Sequence, residues 1–347
     1  DLSSGNPDFD DNGHRLALSF SNVFADDTVG IALAVATTES PNQEEHFRGW
    51  GYPTEGTGEA ILGGHDSYVR SAMLERDTIS GVLQFAPSDD LTITFDALYI
   101  DFSEEEAKRG LEEGGAQWGT GNYTVTGTDN GLVTDGYYDD FRSVIRNDGR
   151  RQDADLTTFG VNLDYQLNDD WVLKADLAHS QVDKTITDVE AYAGVGRPGT
   201  GAQGPATGRS WTMTPNGAVY GGHPTIAPVD LADFNTIRLA GPQAWGGGMS
   251  QVAAFQADPL GAFPNVGPSE AQDGFVNEPI FDEELTTLRI EAARPIELGI
   301  LTQVEFGVYY SDRSKSKDND GYFLTAPTWP TDGLIPEEYR LGTTSLG

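Results

Sequence analysis

Apolar and polar residues alternate after position 90: Leu91, Ile93, Phe95, Ala97 and Tyr99 are apolar, while Thr92, Thr94 and Asp96 between them are polar. A period of two places such a set on one face of a β-strand. The preceding arm alternates as well (Ile79, Gly81, Leu83, Phe85), and the short polar stretch around Asp89-Asp90 joins the two into a hairpin near 77–103. An offset of 80 aligns this stretch with "DYQLNDDWVLKADLAH", where Asp169-Asp170 takes the turn and Trp171, Leu173 and Asp176 match Leu91, Ile93 and Asp96. That predicts a second hairpin near 155–183. Two more follow, near 14–38 (Leu16, Leu18, Phe20 against Val29, Ile31, Leu33, Val35) and near 284–313 (Leu288, Ile290, Ala292 against Val304, Phe306, Val308, Tyr310). A slip of one residue would turn each apolar set to the wrong side, so the pattern specifies register.

The segments between hairpins, 39–76, 104–154, 186–283 and 314–347, are long and rich in Gly, Pro, Asp and Asn, and they carry every tryptophan except Trp171. They read as loops, with "SEEEAKRGLEEGG" as a short solvated helix within one. Loops this long are rare in compact soluble domains. Short turns at one end and long loops at the other are the layout of an outer-membrane barrel. The expected fold is therefore all-β: an antiparallel up-and-down transmembrane β-barrel, with about eight strands in this chain. Outward Leu, Ile, Val and Phe would meet lipid, and Thr94, Asp96, Asp164, Asp176, Arg289 and Glu291 would face the lumen. Aromatics near strand ends (Tyr99, Phe102, Tyr165, Trp171, Tyr309, Tyr310) would form interfacial girdles. A secreted soluble β-sandwich that binds or cleaves polysaccharide would also alternate, and a passive porin would share the loop asymmetry; both stay open.

Composition narrows the partners. With 55 acidic against 21 basic residues and a net charge of −34, nucleic acid is excluded as a partner, since no basic stripe exists to meet phosphate. The chain has no cysteine, which removes disulfides, thiolate nucleophiles and Cys-ligated zinc. The longest apolar run, Val29–Ala36, is far short of the ~20 residues of a spanning helix. Asp1–Gly5 does not read as a signal peptide, so a mature chain or a fragment is expected.

Several motifs reduce to local chemistry. Gly194–Gly199 spells GxGxxG, but Pro198 and the Gly-rich stretch after it forbid the helix that a dinucleotide site needs. Asp8, Asp10 and Asn12, and again Ser316, Asp318 and Asp320, begin like calcium loops. Their twelfth positions are Ser19 and Pro327 rather than Glu, so weak calcium sites there are left open and turns are expected. Asn122-Tyr123-Thr124 fits the glycosylation pattern, which carries no meaning in a bacterial context. The five histidines have no zinc spacing, no GxSxG occurs, and no carboxylate pair stands out from the acidic background. No catalysis, metal or cofactor is expected.

Loop aromatics are the one binding constellation. Trp50, Tyr52, Trp118, Tyr123, Trp211, Tyr220 and Trp245 lie among Asp, Asn, Gln and Gly, a mix suited to sugar rings and hydroxyls. Arg142, Arg146, Arg150 and Arg151 form an alternative cluster for an anionic ferric chelate.

At "LQFAPSDDLTITFDALYIDF" and "FGVNLDYQLNDDWVLKADLAHS" the chain resembles the barrel of TonB-dependent outer-membrane receptors. The stretch "PTDGLIPEEYRLGTTSLG" is similar to a loop of the xanthomonad and caulobacter subgroup. The resemblance implies a receptor in the outer membrane of a Gram-negative bacterium, embedded in lipid and lipopolysaccharide and energised by the TonB complex through a plug domain. It would take up a small molecule or oligosaccharide, with carbohydrate ahead of ferric siderophore. Family members carry an N-terminal plug, a TonB-contacting box and an aromatic C-terminal residue. This chain shows none of them and reads as the first third or so of such a barrel.

Overall fold

A computed structural model of the chain describes residues 12–116, 122–141, 143–194, 207–239 and 274–324, together with Ile335, Glu337 and Arg340. The strands are β1 (His14–Phe24), β2 (Val29–Gly49), β3 (Gly64–Ser88), β4 (Leu91–Gly114), β5 (Tyr123–Asp129), β6 (Leu132–Phe141) and β7 (Ser143–Gln166). They continue with β8 (Val172–Gly194), β9 (Thr207–Thr214), β10 (Gly217–Gly222), β11 (Arg238–Leu239), β12 (Gly274–Leu298) and β13 (Leu301–Leu324). Eight of them form one sheet in the order β1-β2-β3-β4-β7-β8-β12-β13, every pairing antiparallel, with β11 added beside β8. A separate sheet has the order β10-β9-β6-β5. The protein is thus all-β and antiparallel. Among the described residues no pairing joins β1 to β13, so the large sheet is open.

Tight turns close one end. Ala25, Asp26 and Asp27 all take the left-handed conformation (φ 55°, 53° and 66°), which a short Asp tolerates better than most residues. Asn168 closes the β7–β8 turn, its Oδ1 accepting from the backbone N–H groups of Asp170 and Trp171, both at 3.0 Å. Gly299 (φ 62°) serves the β12–β13 turn. In the small sheet Asn130 and Gly131 (φ 49° and 81°) make the β5–β6 hairpin, the Asn-Gly pair that type I′ geometry favours.

At the other end the strands run on well past the expected hairpins. Stretches expected as loops (39–49, 64–76, 104–114, 143–154, 186–194, 274–283 and 314–324) are strand. "SEEEAKRGLEEGG" is not a helix but the far half of β4, paired with β3 on one side and β7 on the other. Two flanking ladders satisfy every backbone group there, which outweighs the helix preference of Glu, Ala and Lys. Charged residues hid these extensions, because both faces are polar and alternation fades.

Register assembles the alternating residues into one band. Phe24, Val29, Phe85, Ile93, Leu163, Ala175, Ile290 and Val308 form a single row across all eight strands. The next row runs Asn22, Ile31, Leu83, Phe95, Val161, Leu177, Leu288 and Tyr310. The band is solvent-exposed: Leu18 is 73% exposed, and Leu33, Ile79, Phe159 and Phe306 all exceed half. No sheet covers it among the described residues. A dozen such side chains left in water would forgo roughly 20–35 kcal/mol at ~1.5–3 kcal/mol each, more than a typical domain's whole stability. Tyr99, Tyr165 and Tyr310 share this face, whereas Phe102 and Tyr309, also expected in girdles, lie in register on the opposite one. Among the described residues no helix is long and apolar enough to cross a membrane, a fact that bears on helical spans alone.

Candidate functional site

The site is built where the long strands end and the small sheet packs. His65 on β3 and Ser143 on β7 both lie opposite Glu113 on β4. The Glu113 carboxylate receives His65 Nε2 at 3.0 Å, the Ser143 hydroxyl at 2.5 Å and, from β9, Arg209 Nη1 at 2.6 Å. The His65 and Glu113 side chains are 2% and 1% exposed. Burial pushes the Glu113 carboxyl up, yet the His65 hydrogen bond, the Arg209 charge and the Ser143 hydroxyl outweigh it and hold the pKa below the ordinary value. His65 Nδ1 meets Ser67 Oγ at 2.9 Å.

Aromatic rings pack around this polar knot. His65 stacks between Phe47 and Tyr220, at 5.0 and 5.1 Å between centroids, and the Arg209 guanidinium lies 4.6 Å over the Tyr220 ring. Behind them Trp211 stacks on Tyr138 at 4.2 Å, in a core with Ile61, Ala116, Val133 and Phe141. Burial drives the Tyr220 and Tyr138 hydroxyls well above their usual range, so both stay protonated.

A cavity of about 400 Å³ opens beside the knot, lined by Glu45, His46, Phe47, Ser67, Tyr68, Val69 and Asn216. Strands β2 and β3 supply all but Asn216, which comes from the β9–β10 turn. That turn is held against Phe47: a Cβ on Gly217 (φ 123°) would fall 2.7 Å from the Phe47 ring. Aromatic faces, a carboxylate, a hydroxyl and an amide together suit a neutral, polyhydroxylated ligand.

The other face of the same strands carries a charge network. Arg146 pairs with Glu112, with Asp148 at 2.9 Å and with Glu190 at 2.8 Å, its guanidinium 4.7 Å over the Tyr192 ring. Arg70 meets Glu44 at 2.9 Å and Glu106 at 3.4 Å, and Arg150 meets Asp188 at 3.4 Å. Burial raises the Glu112 and Asp148 carboxyls, with Arg146 opposing. Arg151 is on the opposite face, bound to Asp153 and Glu105 at 2.8 and 3.1 Å, and Arg142 lies outside the described residues. The arginine cluster expected to capture an anionic chelate is therefore neutralised by carboxylates wherever it is described.

The expected aromatics divide. Trp211 is 1% exposed and, with Tyr123 and Tyr220 packed around it, stabilises the small sheet rather than offering an open ring. Trp50 is half-buried and donates from Nε1 to Asp66 Oδ1 at 2.9 Å. Tyr52 is 50% exposed. Trp118 and Trp245 lie outside the described residues, as do Asp8 and Asp10 of one possible calcium loop and all but Gly194 of the GxGxxG. Ser316, Asp318 and Asp320 lie in extended β13, and no group of three or more His, Asp or Glu among the described residues is placed to hold a metal.

The six residues expected toward the lumen do share a face. Thr94, Asn162, Asp176 and Arg289 form one row, and Asp164, Lys174 and Glu291 the next, with Lys174 bound to Asp164 at 3.1 Å. Asp96 is in the row beyond, facing Gly160. The face is mixed, interrupted by Val82, Leu98 and Ile100. Sequence reasoning missed His65, Glu113, Ser143 and Arg209 altogether, because their partners are 30 to 96 residues away and no spacing announces them. No family model, no curated protein and no solved structure matches the chain.

Proposed function

We propose that the chain forms part of the wall of an outer-membrane receptor of the TonB-dependent type, which takes up a scarce nutrient with carbohydrate favoured over a ferric chelate. The apolar band carries this reading. From Leu91 to Tyr99 it is about as deep as the 9–11 residues that let a tilted strand cross the bilayer, and it continues across eight strands with the short turns all at one end. Lipid is the partner that removes the cost of exposing it. Open sheet edges are not tolerated in hydrocarbon, so β1 and β13 would be paired by further strands of the same barrel. The strands run far beyond the band and would stand clear of the membrane on the extracellular side. They would carry the cavity at Phe47 and Asn216 to where a ligand arrives, and the TonB complex would drive uptake through a plug.

The neutralised arginines near the cavity favour an uncharged ligand there. A soluble sandwich would need a second sheet over the band, and none covers it among the described residues. The reading is tested by expressing the chain within its natural gene and fractionating the cells. Recovery in detergent extracts of the outer membrane is expected, and recovery in the soluble fraction without detergent would overturn it.

A further inference from the structure

Positive charge gathers in one place against the balance of the chain. On the face shared by Asp176 and Arg289, Lys184, Phe281 and Lys317 are directly opposite one another on β8, β12 and β13. Lys184 Nζ sits 4.7 Å from the Phe281 ring centroid, Lys317 Nζ 5.5 Å and, one position along, Lys315 Nζ 5.9 Å. Arg313 follows on the same face of β13, beyond Lys315. Among the described residues only Glu283 answers these four cations, pairing with Arg313 and with Lys315 at 2.9 Å.

Lys184 and Lys317 meet no carboxylate within ion-pair distance among the described residues. The same-face positions around Lys184 are Ala154, Val182, Ile186 and Pro279, all uncharged, and the nearest same-face carboxylate is that of Glu283, already paired with Arg313 and Lys315. Asp183 and Asp282 project from the opposite side of the sheet. Like charges brought together across strands are unfavourable, and a phenyl face offsets only part of that. An anion placed among them would relieve the remainder.

We infer that Lys184, Lys315 and Lys317 around Phe281 form a binding site for a small oxyanion-bearing molecule, such as a carboxylated sugar or a phosphate ester. The ammonium groups take the charge, and the partly exposed apolar side chains beside them (Ala154, Val182) accept an uncharged part of the ligand. The site differs in position and in charge from the cavity at Phe47. It stands whether or not the apolar band meets lipid.

The test uses the full chain in an uncharged detergent, with its lysines carrying ¹³C-methyl groups so that each gives its own signal. Three probes are titrated: trigalacturonate, its uncharged methyl ester, and inorganic phosphate. Trigalacturonate is expected to shift the Lys184, Lys315 and Lys317 signals and to lose its effect at high salt, while the ester shifts none of them. The double variant Lys184→Gln/Lys317→Gln is expected to bind about tenfold more weakly, with Lys184→Arg close to wild type and Lys174→Gln unchanged. Shifts caused by phosphate at lower concentration than by the uronate would identify phosphate esters as the source of the oxyanion. Both substitutions are at the surface, and an unchanged circular dichroism spectrum will confirm that the double variant is folded. The site is refuted if the wild-type lysine signals move with none of the charged probes, or if the double variant binds as tightly as wild type.

Discussion

The Tyr99 hydroxyl donates to Asp155 Oδ1 at 2.6 Å across the β4–β7 pair, and that bond marks the line where the apolar band gives way to acid. One step beyond Tyr99, the row across β3, β4, β7, β8 and β12 consists of Asp77, Asp101, Asp155, Asp183 and Asp282. Directly opposed like charges weaken a sheet. Asp101 lies between two of them, so Asp101→Asn is expected to stabilise the fold by roughly 0.2–1 kcal/mol. Urea unfolding at low and high salt measures this. The gain should shrink with salt, and a salt-independent loss of stability would contradict the repulsion.

The two faces of β8 predict opposite outcomes for neighbouring residues. Leu177 sits in the band between Val161 and Leu288, whereas Asp176 faces the other way beside Arg289. Leu177→Arg is expected to cost about 2–4 kcal/mol if that face meets the middle of a bilayer, read as the midpoint of unfolding from lipid vesicles. Asp176→Asn should change it little. Equal tolerance of the two would reverse or abolish the assigned orientation.

This contrast could be drawn from sequence alone, because Leu177 and Asp176 belong to a stretch whose period of two is clean. Legibility ends where both faces turn polar. Glu106, Lys108 and Glu112 look like part of a solvated run until Arg70 and Arg146 arrive from neighbouring strands to pair with the two glutamates, and Asp148 to pair with the lysine. Trp211 illustrates a different limit: its residue type suggested a ligand platform, but the small sheet that buries it unites segments whose pairing no local pattern encodes. The Lys184–Phe281–Lys317 row was equally invisible, since each residue alone is an ordinary member of an alternating strand.

The small sheet offers a sharp test of packing. A Cβ on Gly136 would fall 2.1 Å from Trp211 Cη2 and 2.6 Å from the Thr124 carbonyl oxygen, and Trp211 is already clamped against Tyr138. Gly136→Ala is therefore expected to displace the indole and cost about 1–3 kcal/mol, with loss of near-ultraviolet dichroism from the buried rings. Trp211→Ala in the same core should cost about 3–5 kcal/mol. Indifference to the alanine at 136 would mean that the indole has room to move.

Glu113 ties the two sheets together, and acid should loosen the tie. Its folded pKa lies below the ordinary value of 4.5, so its stabilising contribution is complete above that value. The contribution is lost as pH falls through the lower, folded value. Glu113→Ala leaves Arg209, His65 and Ser143 facing an empty site and is expected to cost about 3–5 kcal/mol at neutral pH. Because the alanine has no proton to take up, the gap between variant and wild type should narrow steadily below pH 4.5. Thermal unfolding of both proteins from pH 7 down to 3 measures that gap. A difference that stays constant across the range would show that the Glu113 carboxylate is not held ionised by Arg209 and His65, and that neutral packing alone joins the small sheet to the long strands.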